Sequence, residues 1–128
     1  MLDVPLLLRD KDVPASDGLV FERVNPITGE VATRAAAATF ADAAEAVSAA
    51  AAAFPAWSEL GPGERRARLD RAASLLQGRL TDFIAAMAEE TGATAGWAEF
   101  NVSLAANMLR EAAAMTTQIG RASCRERV

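Results

Sequence analysis

Residues 25–57 read NPITGEVATRAAAATFADAAEAVSAAAAAFPAW, and the change of period inside this stretch decides the fold. From Thr39 onward the apolar residues recur at alternating steps of four and three, which is one stripe of an α-helix. The stripe consists of Phe40, Ala44, Val47, Ala51 and Phe54. Thr39 can cap this helix, and Asp42 suits its positive N-terminal end. The stretch therefore predicts a first helix that begins at residue 39 or 40.

The chain before this helix predicts short strands. Residues 5–9 are an apolar run, and residues 19–24 are rich in β-forming residues, so we expect an antiparallel hairpin between the two. Asn25-Pro26 ends the second strand because proline cannot donate to a ladder. Residues 28–30 form a turn, and residues 31–38 are a weaker extended candidate because of their alanines.

The chain after residue 58 predicts further helices. Pro62 is favoured in a first helical turn and begins the second helix. Its stripe consists of Leu69, Ala73, Leu76 and Leu80, with a break indicated near Gly78. Helical spacing then resumes until Gly92, which is typical of a helix C-terminus. With a last helix over residues 94–118, we predict a mainly helical chain with a short N-terminal β-hairpin and three or four helices.

Composition excludes several classes of function. The 128 residues make about one small domain. They include no histidine and one cysteine, so a Ser-His-Asp triad, a Cys-His dyad, a histidine-containing metal cluster and an internal disulfide are excluded. The formal charge of −4 argues against a nucleic-acid partner. No apolar run is long enough to span a membrane, and no secretory signal is visible, so we expect a cytoplasmic protein.

The last nine residues differ from the rest of the chain. Residues 120–128 carry three arginines against one glutamate, together with Cys124. Residues 119–128 back-translate to a sequence that resembles a common sequencing-library adapter. We therefore interpret residues 120–128 as a non-native tail, expect the chain to be truncated, and do not take Cys124 as a nucleophile. A natural basic tail is the alternative.

Two charged clusters have competing interpretations. Glu89-Glu90 can be read as a paired-carboxylate site, but adjacent helical residues point about 100° apart, which favours a solvated face. The arginines between residues 65 and 71 can be read as a phosphate site. Because Glu64 and Asp70 interleave with them, surface ion pairs are the favoured interpretation.

An ordered set of short motifs resembles the N-terminal part of the NAD(P)-dependent aldehyde dehydrogenase superfamily. The motifs are NPITGE at 25–30, residues 42–47, AFPAW at 53–57, Arg65 or Arg66 with Leu69, and EETG at 89–92. Residues 31–38 and 94–119 are most similar to the salicylaldehyde and vanillin dehydrogenase group. The resemblance implies an α/β parent with a Rossmann-like cofactor domain, of which residues 1–119 are an incomplete N-terminal portion.

The resemblance also implies an activity for the parent protein. Members of the family oxidise an aldehyde to the carboxylic acid with hydride transfer to NAD or NADP, using a cysteine nucleophile and a glutamate base. No residue here matches those catalytic groups, so we assign no catalytic, cofactor-binding or metal-binding residue and expect the fragment alone to be inactive and to bind no cofactor. A small-molecule aldehyde and a homodimeric or homotetrameric parent are the implied partners.

One face of the last helix has a functional meaning in the family, where it lines the tunnel to the cysteine. Trp97, Phe100, Asn101 and Leu104 share one helical face. We expect this face to be the substrate wall, with the two aromatic rings stacking on an aromatic aldehyde and Asn101 bonding a ring substituent. Ordinary core packing of Trp97 and Phe100 is the alternative. For the chain as a whole, the competing hypothesis is a small, self-contained helical interaction module without catalysis.

Overall fold

The N-terminal third of the chain forms short strands in two separate sheets. A computed structural model describes residues 2–118. Its five strands are β1 (Leu2–Val4), β2 (Leu6–Leu8), β3 (Lys11–Val13), β4 (Val20–Val24) and β5 (Val31–Ala36). Strand β5 is central in a three-stranded sheet, where it pairs in parallel with β1 and antiparallel with β4. Strands β2 and β3 form a separate antiparallel hairpin.

The predicted pairing of the strands is wrong, although a short N-terminal hairpin is present. Strand β2 pairs with β3 rather than with residues 19–24, because the chain reverses at once through Arg9 and Asp10. Both residues have a positive φ, 52° and 61°. A two-residue hairpin turn whose twist matches that of the flanking strands requires this conformation at both positions. Residues 19–24 supply β4, which instead pairs with β5, the strand expected to be weak.

The loop between β4 and β5 is organised by Asn25, which is 7% exposed. Its Oδ1 accepts hydrogen bonds from the backbone N–H groups of Ile27 (2.8 Å) and Thr28 (3.2 Å). Gly29 has a φ of 74° and closes the turn with a bond from its N–H to the Asn25 carbonyl. The turn predicted at residues 28–30 is therefore confirmed.

Within residues 2–118 four helices follow, at the upper end of the predicted number. They are α1 (Phe40–Ser58), α2 (Pro62–Gly78), α3 (Leu80–Thr91) and α4 (Ala95–Met115). The predicted starts at residues 40 and 62 are confirmed, as is the break near Gly78. Gly92 ends α3 in the left-handed conformation, with a φ of 68°. Helix α4 ends at Met115 rather than at residue 118.

The predicted Thr39 cap of α1 is confirmed, and Asp42 completes a capping box. Thr39 Oγ1 accepts from the Asp42 N–H, and the Asp42 carboxylate accepts from the Thr39 N–H at 2.8 Å. The carboxylate also accepts from the backbone N–H of Ser16 at 3.2 Å, which ties α1 to the loop after β3. The hydrogen bonds from the Thr39 and Ser16 backbones hold the pKa of Asp42 below its ordinary value.

The core of residues 2–118 lies mainly where α4 packs on α2 and, less extensively, on α3. The buried apolar side chains are small: Ala15, Ala32, Ala73, Ala98, Val102, Ala106 and Ala113. In contrast, the stripe of α1 is exposed, since Phe40, Val47 and Phe54 are 91%, 71% and 64% exposed. In the part of the chain described here, none of the four helices is long and apolar enough to cross a membrane.

The proposed tail, residues 120–128, lies outside the described residues.

Candidate functional site

The candidate substrate wall lies on the outer face of α4. Thr94 caps this helix by accepting a hydrogen bond from the Trp97 N–H at 3.3 Å. The orientation of the helix follows from its opposite face, where Ala98, Val102, Ala106 and Ala113 are buried. At about 100° of rotation per residue, these four residues point away from Trp97, Phe100 and Leu104. Asn101 lies at the border, about 60° from Ala98, and is half-buried. The helix therefore packs through its small side chains, and the large side chains on the opposite face are exposed.

The structure brings the predicted wall residues together in one exposed patch, as helical spacing requires. Trp97 is 57% exposed, Phe100 is 54% exposed and Leu104 is 46% exposed. The Trp97 and Phe100 rings are stacked, with 5.5 Å between their centroids and 24° between their planes. Within residues 2–118 the two rings stack on each other and each residue is about half exposed.

The polar member of the patch is Asn101, whose side chain is bonded to its own helix. Its Nδ2 donates a hydrogen bond to the Trp97 carbonyl at 2.7 Å. The bond spans one helical turn and links the amide to the residue that carries the first aromatic ring. We call Trp97, Phe100, Asn101 and Leu104 the α4 patch.

Glu89 is exposed, as the interpretation of a solvated face expects, but Glu90 is partly buried and paired. The Glu90 carboxylate accepts from Thr33 Oγ1 at 2.6 Å and lies 3.1 Å from Arg23 Nη1. Glu89 accepts from Asn25 Nδ2 at 3.3 Å. The two glutamates therefore fasten the C-terminal end of α3 to β4, β5 and the loop between them. Thr33 and Arg23 lie far away in the sequence, so no local pattern indicates this contact.

Two of the four arginines at the start of α2 form surface ion pairs, as predicted. Arg68 lies 2.7 Å from Glu64, and Arg66 lies 3.8 Å from Asp70, one turn away in each case. All four side chains are about half exposed. The charges of Arg66 and Arg68 are thus balanced within one helical turn, which favours surface ion pairs at these two positions.

A cavity of about 620 Å³ lies between the three-stranded sheet and α3. Its floor is apolar, with Leu2, Ala32 and Phe83 among the lining residues. The charged groups at its edge already have protein partners, because Arg79 pairs with Asp82 at 3.1 Å and Glu90 is held as described above. Residues 2–118 also contain no group of three acidic, histidine or cysteine side chains that could hold a metal ion.

The turn that leads from β5 into α1 lacks the glycines of a Rossmann-type dinucleotide cradle. A cradle of that type needs a glycine-rich turn between a parallel strand and a helix. Here the parallel strand β5 leads into α1 through residues 37–39, which are Ala, Ala and Thr.

Comparison with known proteins identifies the family. The sequence model of the aldehyde dehydrogenase family matches residues 13–126. A vanillin dehydrogenase of Pseudomonas fluorescens is 62% identical over 119 residues, which cover 93% of this chain and 24% of that protein. The chain therefore spans about a quarter of the length of the curated relatives it matches.

Solved structures share the arrangement described above. The salicylaldehyde dehydrogenase of Pseudomonas putida G7, complexed with salicylaldehyde, matches with a TM-score of 0.90 and 42% identity over 92% of this chain and 24% of that one. PnpE in complex with nicotinamide adenine dinucleotide matches with a TM-score of 0.86 and 32% identity over 91% of this chain and 24% of that one. The predicted resemblance is confirmed, and this chain belongs to the aldehyde dehydrogenase family.

Proposed function

We propose that this chain forms the N-terminal quarter of an enzyme that oxidises aromatic aldehydes to carboxylic acids, with NAD⁺ or NADP⁺ as the hydride acceptor. The observation that carries the proposal is the 62% identity to a vanillin dehydrogenase across 93% of the chain. The likeness to a salicylaldehyde dehydrogenase supports the same substrate class. The catalytic nucleophile, the base and the cofactor site belong to the part of the enzyme outside these residues.

The contribution of this quarter to the reaction is the α4 patch as one wall of the aldehyde site. The exposed parts of the two rings offer apolar surface to another aromatic ring, and each aromatic pair adds about 0.5–1.5 kcal/mol beyond its buried area. A short aliphatic aldehyde has no ring and gains little from this surface. The wall therefore favours aromatic substrates through binding, and its loss raises KM before it lowers kcat.

A chimera tests the proposal directly. Residues 2–118 replace the matching quarter of the P. fluorescens vanillin dehydrogenase, and oxidation is followed by formation of the reduced nicotinamide. We expect Trp97→Ala to raise KM about two- to tenfold more for benzaldehyde than for propanal, which corresponds to one lost ring contact. The matched control is Leu75→Ala in α2, an equally exposed apolar residue (58%) outside the α4 patch.

Two results would contradict the proposal. One is an intact, folded chimera without aldehyde oxidation. The other is a Trp97→Ala variant whose KM changes equally for both aldehydes. The alternative of a self-contained helical module is not supported by the structure, because the apolar stripe of α1 is left uncovered by residues 2–118.

A further inference from the structure

Asn101 is the polar member of the otherwise apolar α4 patch. The nitrogen and the oxygen of its side-chain amide differ in their hydrogen bonding. The amide nitrogen donates to the Trp97 carbonyl at 2.7 Å, which fixes the plane of the amide. Among the hydrogen bonds formed within residues 2–118, the Oδ1 atom accepts none. An amide oxygen has two lone pairs, so Asn101 presents a fixed acceptor beside the aromatic surface.

The neighbours of this acceptor restrict what can bind to it. Trp97 lies one turn before Asn101 and Phe100 lies next to it, and their stacked rings are more than half exposed. A substrate ring that lies on this surface brings its substituents within reach of the amide. Because a fixed acceptor needs a donor, a ring hydroxyl satisfies Oδ1, whereas a hydrogen, a methyl group or a methoxy oxygen does not.

We propose that Asn101 is a specificity-determining residue whose Oδ1 accepts a hydrogen bond from the ring hydroxyl of a hydroxylated aromatic aldehyde. The inference rests on the proposed function, since it requires the α4 patch to be the substrate wall. The two named relatives agree with it in chemistry, because vanillin and salicylaldehyde both carry a hydroxyl on the ring.

The test uses the same chimera and compares substrates that differ only in the substituent. The kcat/KM is measured for the ortho, meta and para hydroxybenzaldehydes, the matching methoxybenzaldehydes, and benzaldehyde. We expect Asn101→Leu to lower the ratio of hydroxybenzaldehyde to benzaldehyde about two- to tenfold for at least one isomer, the effect of one neutral hydrogen bond. The ratios for the methoxy compounds should not fall.

The matched control is Asn107→Leu, the same substitution on the same helix. Asn107 is exposed and accepts from Arg110 at 3.2 Å. It lies about 9 Å further along α4 than Asn101 and about 120° around the helix from it. For this variant, the ratio of kcat/KM for each hydroxybenzaldehyde to kcat/KM for benzaldehyde should equal that of the unsubstituted chimera. Circular dichroism and thermal unfolding of each variant show whether a changed ratio comes from a folded enzyme.

The outcomes separate the two proposals. If Trp97→Ala discriminates aromatic from aliphatic aldehydes but Asn101→Leu leaves all three hydroxyl ratios unchanged, the role of Asn101 is refuted and the substrate wall stands. The role of Asn101 Oδ1 is also refuted if only the ratios for the methoxybenzaldehydes fall. A methoxy oxygen can only accept a hydrogen bond, so its contact would be with the amide nitrogen. If Trp97→Ala does not discriminate, the wall and the Asn101 contact fail together.

Discussion

Replacing Glu90 by alanine removes the contact that fastens α3 to the three-stranded sheet. The Glu90 carboxylate accepts a 2.6 Å hydrogen bond from Thr33, a residue that is only 2% exposed. A hydrogen bond to a charged group contributes about 1.5–3 kcal/mol. The ion pair with Arg23 adds about 0.2–1 kcal/mol, because the arginine side chain is 49% exposed and screened by water. We expect Glu90→Ala to lower the free energy of unfolding by about 2–4 kcal/mol.

Urea unfolding of the 128-residue chain, followed by circular dichroism, measures this change. The control is Glu99→Ala, which removes an exposed carboxylate from a helix and should change stability by less than about 0.5 kcal/mol. Adding Thr33→Val to Glu90→Ala should recover part of the loss, because no buried hydroxyl is then left without a partner. The reasoning is refuted if Glu90→Ala costs no more than Glu99→Ala, or if Thr33→Val costs the same in both backgrounds.

Two further predictions concern the ends of helices. Gly92→Ala should destabilise the chain by about 1–2 kcal/mol, because the residue has a φ of 68° and its new Cβ would lie 3.3 Å from Ile27 and Pro26. Gly63→Ala is the control, because a Cβ at this position at the start of α2 meets open space, and it should be neutral or stabilising in the same unfolding assay. If both substitutions destabilise the chain equally, the left-handed conformation of Gly92 is not what makes its replacement costly. Because the folded-state pKa of Asp42 is lowered, its carboxylate stabilises the fold above the ordinary pKa of 3.8, and that stability is lost as pH falls through the folded value. The difference in Tm between wild type and Asp42→Asn should therefore shrink in acid, and a difference that is constant with pH would contradict this.

Local sequence signals predicted the helices well. The Thr39–Asp42 capping box, the helix start at Pro62 and the left-handed Gly92 each depend on residues within a few positions of one another. Their hydrogen bonds and dihedral angles are set by the chain itself, so the residue types are sufficient evidence.

Contacts between distant residues could not be predicted in the same way. The hairpin of β2 and β3 turns through Arg9 and Asp10, neither of which is the Asn-Gly or Gly-containing pair that normally indicates such a turn. The bond from Thr33 to Glu90 joins residues 57 positions apart. Helical spacing placed the α4 patch on one face, but only the buried alanines opposite it show that this face turns outward.

The alanine core described above has a calorimetric consequence. No large side chain in residues 2–118 is fully buried, and many large apolar side chains are already hydrated in the folded state. The heat capacity increment of unfolding comes mainly from apolar surface that is newly exposed to water. A domain of 128 residues ordinarily shows about 1.5–1.9 kcal/mol/K. This chain should fall well below that value, so its stability curve is broad and flat and cold weakens it little.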